Sequence, residues 1–160
     1  MGTDRCREGE ETLDFDPAGK VDATLHFIGH VETPWKKGDC PRNIQEARKR
    51  GGRFRAVVAP GFRRGLAGLA AGDALILLYW MADARRDLIV QAPPHRAEPT
   101  GTFALRSPNR PNTVSLGVTR ILSIDTEAGV IEVDALDAFD GTPLIDIKPW
   151  LATVDIPDGA

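Results

Sequence analysis

Apolar residues recur along the chain in short runs: LHFIGHVE (25–32), RFRAVVA (53–59), ALILLYWM (74–81), DLIVQA (87–92), GTFALR (101–106), TVSLGVTRILSI (113–124), GVIEVDAL (129–136) and PLIDIKP (143–149). Most are bounded by Gly, Pro, Asn or Asp and several are rich in β-branched residues, a pattern of strands rather than helices. Turn residues from Asp125 to Gly129 separate two apolar arms, which predicts an antiparallel hairpin. Helical signal is small: IQEARKRG (44–51) supports about two turns, and FRRGLAGLAAGD one short turn around Leu66 to Leu69. Neither reaches the length of a crossover helix in a parallel sheet. The expected fold class is therefore all-β, mainly antiparallel, closed into a single β-barrel with a few short helices. ALILLYWM is apolar on both alternating faces, which predicts a strand covered on both sides, either within the protein or at a homodimer seam.

Length and composition narrow the class. The chain has 160 residues, 42% hydrophobic and 27% charged, enough for one domain that buries roughly two-thirds of its unfolded surface. Residues 1–20 are acidic and aperiodic and are expected to form a flexible tail, with the barrel domain spanning 21–157. No run approaches the roughly 20 apolar residues of a membrane span, and the acidic start lacks the features of a secretion signal. A cytoplasmic protein with no membrane partner is the expectation. Cys6 and Cys40 lie far apart and are read as reduced thiols, and His26, His30 and His95 are too scattered for a zinc site. No metal is expected.

Charge is unevenly distributed. The net charge is -3, yet between Trp35 and Arg64 ten basic residues face only two acidic ones, Asp39 and Glu46. Such a local excess is the footprint of a surface that meets phosphates, or else of a solvated basic loop.

Three segments depart from what packing alone requires, of which Cys40-Pro41-Arg42-Asn43, at the start of the basic stretch, by itself says only loop. In Arg106-Ser-Pro-Asn-Arg-Pro-Asn112, Pro108 and Pro111 fix their own φ and hold Ser107 and Arg110 extended. The loop is stiff before any ligand arrives, and its arginines offer planar donor forks to a carboxylate or phosphate. In Asp137-Ala-Phe-Asp140-Gly-Thr-Pro143, a strong turn signal precedes an extended Leu144 to Lys148. Asp137, Asp140 and Asp146 either cap turns or accept hydrogen bonds from hydroxyl or amino groups. The chain lacks G-x-G-x-x-G, a Walker loop, G-x-S-x-G and H-E-x-x-H, which removes the common nucleotide, hydrolase and zinc-protease sites.

FIGHVETP (27–34), PRN (41–43), ALILLYW (74–80), GTFALRSPNRPN (101–112) and DGTPLIDIKPW (140–150) resemble, in order and spacing, the TrmO-type proteins, also called YaeB-like or VirR-like. The likeness covers nearly the whole expected domain. It implies a single β-barrel binding S-adenosylmethionine near a homodimer interface, and methylation of the threonylcarbamoyl-adenosine beside the tRNA anticodon. Two alternatives stand beside this: a non-catalytic module for S-adenosylmethionine or a nucleotide, and a barrel methyltransferase with another substrate. Matched motif by motif, the implied cofactor residues are Pro41, Arg42, Asn43, Met81, Ala82, Arg106, Leu116, Asp140, Gly141, Thr142 and Pro143. Asp146 and Asp140 are the candidate general bases, since the target nitrogen must lose a proton. The expected tRNA contacts are Arg48, Lys49, Arg50, Arg53, Arg110 and Lys148. Where members read R-P-N-P-I-G-L-S, this chain has Thr113, Ser115 and Gly117 at the Pro, Gly and Ser positions.

Overall fold

A computed structural model describes residues 6–159. Its strands are β1 (Glu11–Thr12), β2 (Gly29–Glu32), β3 (Phe54–Val58), β4 (Ala74–Trp80), β5 (Leu88–Gln91), β6 (Thr100–Gly101), β7 (Val114–Asp125), β8 (Val130–Val133) and β9 (Pro143–Pro149). Two short α-helices accompany them, α1 (Ile44–Arg50) and α2 (Ala152–Asp155), with 3-10 turns at Pro60–Leu66 and Thr102–Ala104. Six strands close a barrel in the order β2-β3-β8-β7-β4-β9, and β2–β3, β2–β9, β3–β8, β4–β9 and β7–β8 pair antiparallel.

The described residues group into two compact units, 6–24 with 81–115, and 25–80 with 116–159. The second unit holds the barrel. Alternation along its strands decides what lies inside: Phe54, Ala56 and Val58 from β3, Leu75, Leu77 and Tyr79 from β4, and Ile131 and Val133 from β8 are all buried. The intervening positions of β4 are half-buried, so the strand is not covered equally on both faces. Closure into a barrel gives every strand one interior side.

Two glycines permit this closure. A Cβ on Gly29 would sit 1.9 Å from the Val57 carbonyl oxygen, so β2 approaches β3 more closely than a side chain allows. Gly129, at φ +73°, completes the expected β7–β8 hairpin turn, and a Cβ there would meet the Val58 carbonyl at 2.5 Å. Helix α1 begins at Asn43, whose side chain accepts from the Glu46 amide at 3.0 Å. Trp35 is buried, donates its indole N–H to the Leu136 carbonyl at 2.7 Å and packs against Phe54.

The first unit is a three-stranded sheet, β1-β5-β6. Residues 11 and 12, expected in a tail, pair with β5, and the Leu13 amide donates to the Asp87 carbonyl. The predicted strand 101–106 is confined to Thr100–Gly101. Thr102 is fully buried and exchanges its ladder for side-chain bonds, accepting from Gln91 Nε2 and donating to the Leu88 carbonyl, both at 2.9 Å.

Candidate functional site

The second unit gathers several of the expected residues around one carboxylate. Asp137 accepts a hydrogen bond of 2.7 Å from the Tyr79 hydroxyl, at the end of β4. Its backbone carbonyl lies 3.2 Å from the Cys40 Sγ, which donates to it. Cys40 opens the loop that contains Pro41, Arg42 and Asn43. Burial, reinforced by the negative Asp137, pushes the Cys40 thiol up to about 11. Glu46 closes the loop onto α1 by accepting from the Arg42 amide at 3.1 Å. A Cβ on Gly117 would lie 3.4 Å from the Tyr79 hydroxyl and 3.6 Å from Ile44. The start of β7, with Leu116, therefore adjoins the same cluster. The sequence offers Asp137 only as one of three candidate acceptors, with no assigned role, and does not single out Tyr79. The only signal for Asp137 was its place in a run of three aspartates, and nothing in the chain before folding pairs it with a tyrosine 58 positions away.

The Asp140–Pro143 turn is fastened to β2. The Asp140 and Gly141 amides donate to the Trp35 and Val31 carbonyls at 2.9 Å, and the Val31 amide donates to the Thr142 carbonyl. Asp140 Oδ1 accepts from the Thr33 amide at 3.1 Å, while its residue stays exposed. Beside it, on the outer face of β2 and β3, a cavity of about 480 Å³ opens. Asp146 is held differently, accepting from the Ile147 amide and pairing with Lys148 Nζ at 2.7 Å.

The basic residues divide by what holds them. Arg48 donates to Asp134 at 2.6 Å and to the Val118 carbonyl at 2.9 Å. Burial would raise the Asp134 carboxyl, but hydrogen bonds from Arg48, Thr119 and the Arg120 amide hold it below its ordinary value. Arg50 lies over the Trp35 ring at 4.4 Å and pairs with Asp39. Lys49 is exposed on α1, and Arg53 reaches Glu132 only at 3.4 Å with its side chain 67% exposed.

In the first unit, Arg110 turns back into its own loop and donates to the Ser107, Leu105 and Thr102 carbonyls at 3.0, 2.6 and 3.2 Å. Asn109 accepts from the Arg85 amide through its side chain and from Gln91 Nε2 through its carbonyl. The stiffness expected from two prolines is thus reinforced by an arginine bond network. Met81 donates its amide to the Thr113 carbonyl, Ala82 follows it, and Arg106 is exposed. Among the described residues no group of three or more His, Cys, Asp or Glu side chains is arranged to hold a metal ion, and no helix is long and apolar enough to cross a membrane.

The family model described as the tRNA-methyltransferase O N-terminal domain matches residues 30–156. The chain belongs to this family. A probable S-adenosyl-L-methionine-binding protein of Archaeoglobus fulgidus is 37% identical over 135 residues, covering 82% of this chain and 35% of that protein. A tRNA (adenine(37)-N6)-methyltransferase of Mus musculus is 40% identical over 68 residues, 42% of this chain and 15% of its own length. The crystal structure of TrmO from Pseudomonas aeruginosa superposes with a TM-score of 0.67 at 26% identity, covering 88% of this chain and 60% of that one. The chain spans about a third of the length of the Archaeoglobus relative. The TrmO barrel architecture is the one the antiparallel pattern and the resemblance predicted.

Proposed function

We propose that this chain is an S-adenosylmethionine-dependent methyltransferase that acts on tRNA and N-methylates the threonylcarbamoyl-adenosine beside the anticodon. Membership of the TrmO family and its likeness to an S-adenosyl-L-methionine-binding protein and a tRNA methyltransferase support the class. The observation that carries it is the Tyr79–Asp137 pair set against the Cys40–Asn43 loop. The donor set suits the cofactor: a carboxylate oriented by a tyrosine is an acceptor for ribose hydroxyls or an ammonium group, and Gly117 keeps the backbone beside Tyr79 free of a side chain. When bound, S-adenosylmethionine supplies an electrophilic methyl group on a sulfonium.

The chain's own residues do the rest. Tyr79 holds the Asp137 carboxylate in one orientation, and the Asn43 cap stiffens the loop that carries Pro41 and Arg42. Asp140, exposed beside the cavity, accepts the proton that leaves the target nitrogen. Asp146 serves this role less well, because Lys148 neutralises it at 2.7 Å. Arg42, Lys49 and Arg53 draw in the tRNA backbone. Leu116, Val118 and Leu122 stand exposed along the outer side of β7, an apolar strip that supports homodimer formation.

Incubation of the chain with labelled S-adenosylmethionine and tRNA from cells lacking the modification tests the reading. Label on threonylcarbamoyl-adenosine is the expected result. Bound cofactor with no label on any tRNA would replace the enzyme with a non-catalytic binding module, and label on another nucleotide would replace the substrate.

A further inference from the structure

The prolines of the Arg106–Asn112 loop stiffen it but do not place it. Pro108 and Pro111 each fix φ and remove a backbone N–H, so the loop cannot be fastened to its surroundings by a full ladder of its own amides. Its orientation has to come from donors elsewhere. Arg110 shapes the loop internally, and three further bonds tie it to residues 85–91. The Arg85 amide donates to Asn109 Oδ1 at 3.1 Å, Gln91 Nε2 donates to the Asn109 carbonyl at 2.7 Å, and Arg86 Nε donates to the Pro111 carbonyl at 2.6 Å. Arg86 Nη2 also reaches the Pro17 carbonyl at 3.4 Å. The chain leaves the loop through Thr113, whose carbonyl accepts from the Met81 amide at 2.9 Å. Met81 in turn opens the turn that leads to Arg86, with the Ala84 amide donating back to the Met81 carbonyl at 3.1 Å. Residues 81–86 and 109–113 are thus joined by three rungs: Met81 to Thr113, Arg86 to Pro111 and Arg85 to Asn109. Only the middle rung has a side chain as donor. That donor is charged, which makes it stronger than a neutral amide, and Arg86 is half-buried. Asp87, next in the chain, pairs with Arg85 at 2.7 Å, so the two neighbouring arginines differ: one neutralises a carboxylate and the other holds backbone oxygens.

We propose that Arg86 is a positioning residue for the methyl donor: it sets the spacing between the Met81–Ala82 turn and the Arg106–Asn112 loop, so that both segments are in register before the cofactor arrives. The proposal rests on the methyltransferase reading, which supplies the cofactor and, through the family resemblance, these two segments. Arg86 acts through the Pro111 carbonyl and not by contact with the cofactor. A site already held in its bound geometry loses less conformational entropy on binding. Without the Arg86 rung, the loop keeps its internal shape through Arg110 but is free to swing against the turn, and each binding event must then restore the spacing.

Two measurements on the full chain test this, comparing the parent with Arg86→Gln and Arg86→Lys. Amide hydrogen exchange read by mass spectrometry reports on the loop, and calorimetric titration with S-adenosylmethionine reports on the cofactor. In Arg86→Gln, exchange over residues 107–113 is expected to quicken several-fold while exchange over β4 and β8 stays parental. Its affinity for S-adenosylmethionine should fall about tenfold, the equivalent of one charged hydrogen bond. Arg86→Lys keeps the charge and a donor without the planar Nε geometry, so it should show both losses in smaller measure and serves if the glutamine variant fails to fold. Arg96→Ala, an exposed change in the same unit, should leave both readouts at parental values. In turnover assays the KM for S-adenosylmethionine should rise in Arg86→Gln while the KM for tRNA does not. Unchanged loop exchange in both variants, or a loosened loop with parental affinity, overturns the proposal. Faster exchange in β4 and β8 as well would make Arg86 a structural residue and overturns it equally. Parental cofactor affinity in the unmutated chain alongside any of these failures leaves the methyltransferase reading intact. An unmutated chain that binds no S-adenosylmethionine removes that reading and the positioning role with it.

Discussion

The Tyr79 hydroxyl donates to Asp137 Oδ1 at 2.7 Å, joining the end of β4 to the segment that follows β8. Tyr79 is 2% exposed, so the bond to Asp137 is shielded from water on the tyrosine side. Tyr79→Phe is expected to lower stability by about 1.5–3 kcal/mol, the value of a hydrogen bond to a charged group. It also frees the Asp137 carboxylate to rotate. S-adenosylmethionine affinity should fall several-fold, while far-UV circular dichroism stays unchanged. Unaltered affinity would remove Asp137 from the cofactor site.

Asp134 links stability to acid. Its carboxyl is held below the ordinary value of 3.8 despite burial, through Arg48, Thr119 and the Arg120 amide. A depressed carboxyl stabilises the fold in full above its unfolded value and loses that contribution as pH falls through the lowered folded value. Denaturant midpoints should therefore drop on acidification below about pH 4. Asp134→Ala should lose about 2 kcal/mol at pH 7 and flatten the acid limb. A variant with the parental acid limb would show that other carboxylates govern it.

Neighbouring basic residues on α1 should behave oppositely. Arg48 is committed to Asp134 and the Val118 carbonyl, whereas Lys49 is exposed. Lys49→Ala is expected to weaken tRNA binding with no change in melting temperature, and to reduce the slope of log affinity against log salt by about one unit. Arg48→Ala should instead lower the melting temperature, and filter-binding titrations over a salt series distinguish the two.

The two cysteines should differ in reactivity. Cys40 donates to the Asp137 carbonyl and its thiol is pushed up to about 11, leaving a thiolate fraction on the order of one in a thousand at pH 8. Cys6 is exposed. Iodoacetamide at pH 8 is expected to modify Cys6 first and Cys40 only on unfolding, as read by mass spectrometry. Rapid alkylation of native Cys40, which is half-buried, would contradict its raised thiol.

Gly29→Ala tests barrel closure. The added Cβ would lie 1.9 Å from the Val57 carbonyl oxygen, a backbone atom that cannot turn aside. The variant should lose at least about 3 kcal/mol or fail to fold, whereas Gly65→Ala, whose Cβ meets nothing within 4 Å, should melt within a few degrees of the parent.

What the sequence determined by itself is local. Alternating apolar residues, bounded by turn formers, placed β3, β4, β7, β8 and β9 close to where they are observed, and Asp125 to Gly129 announced the β7–β8 hairpin, because side-chain period and turn chemistry act over a few residues. The motif resemblance placed the chain in its family. Only tertiary structure decided the rest, since it depends on which distant residues meet. Thr102 ended its predicted strand because Gln91 and Leu88 offered it better partners. Arg48 and Arg110, legible only as charges, became ties to Asp134 and to backbone carbonyls. Asp137 gained its place from Tyr79, and the cross-strand register set Glu32 against Arg55 on the outer face of β2 and β3. A charge in the sequence shows a capacity to bind, and the folded neighbourhood determines whether that capacity is already used.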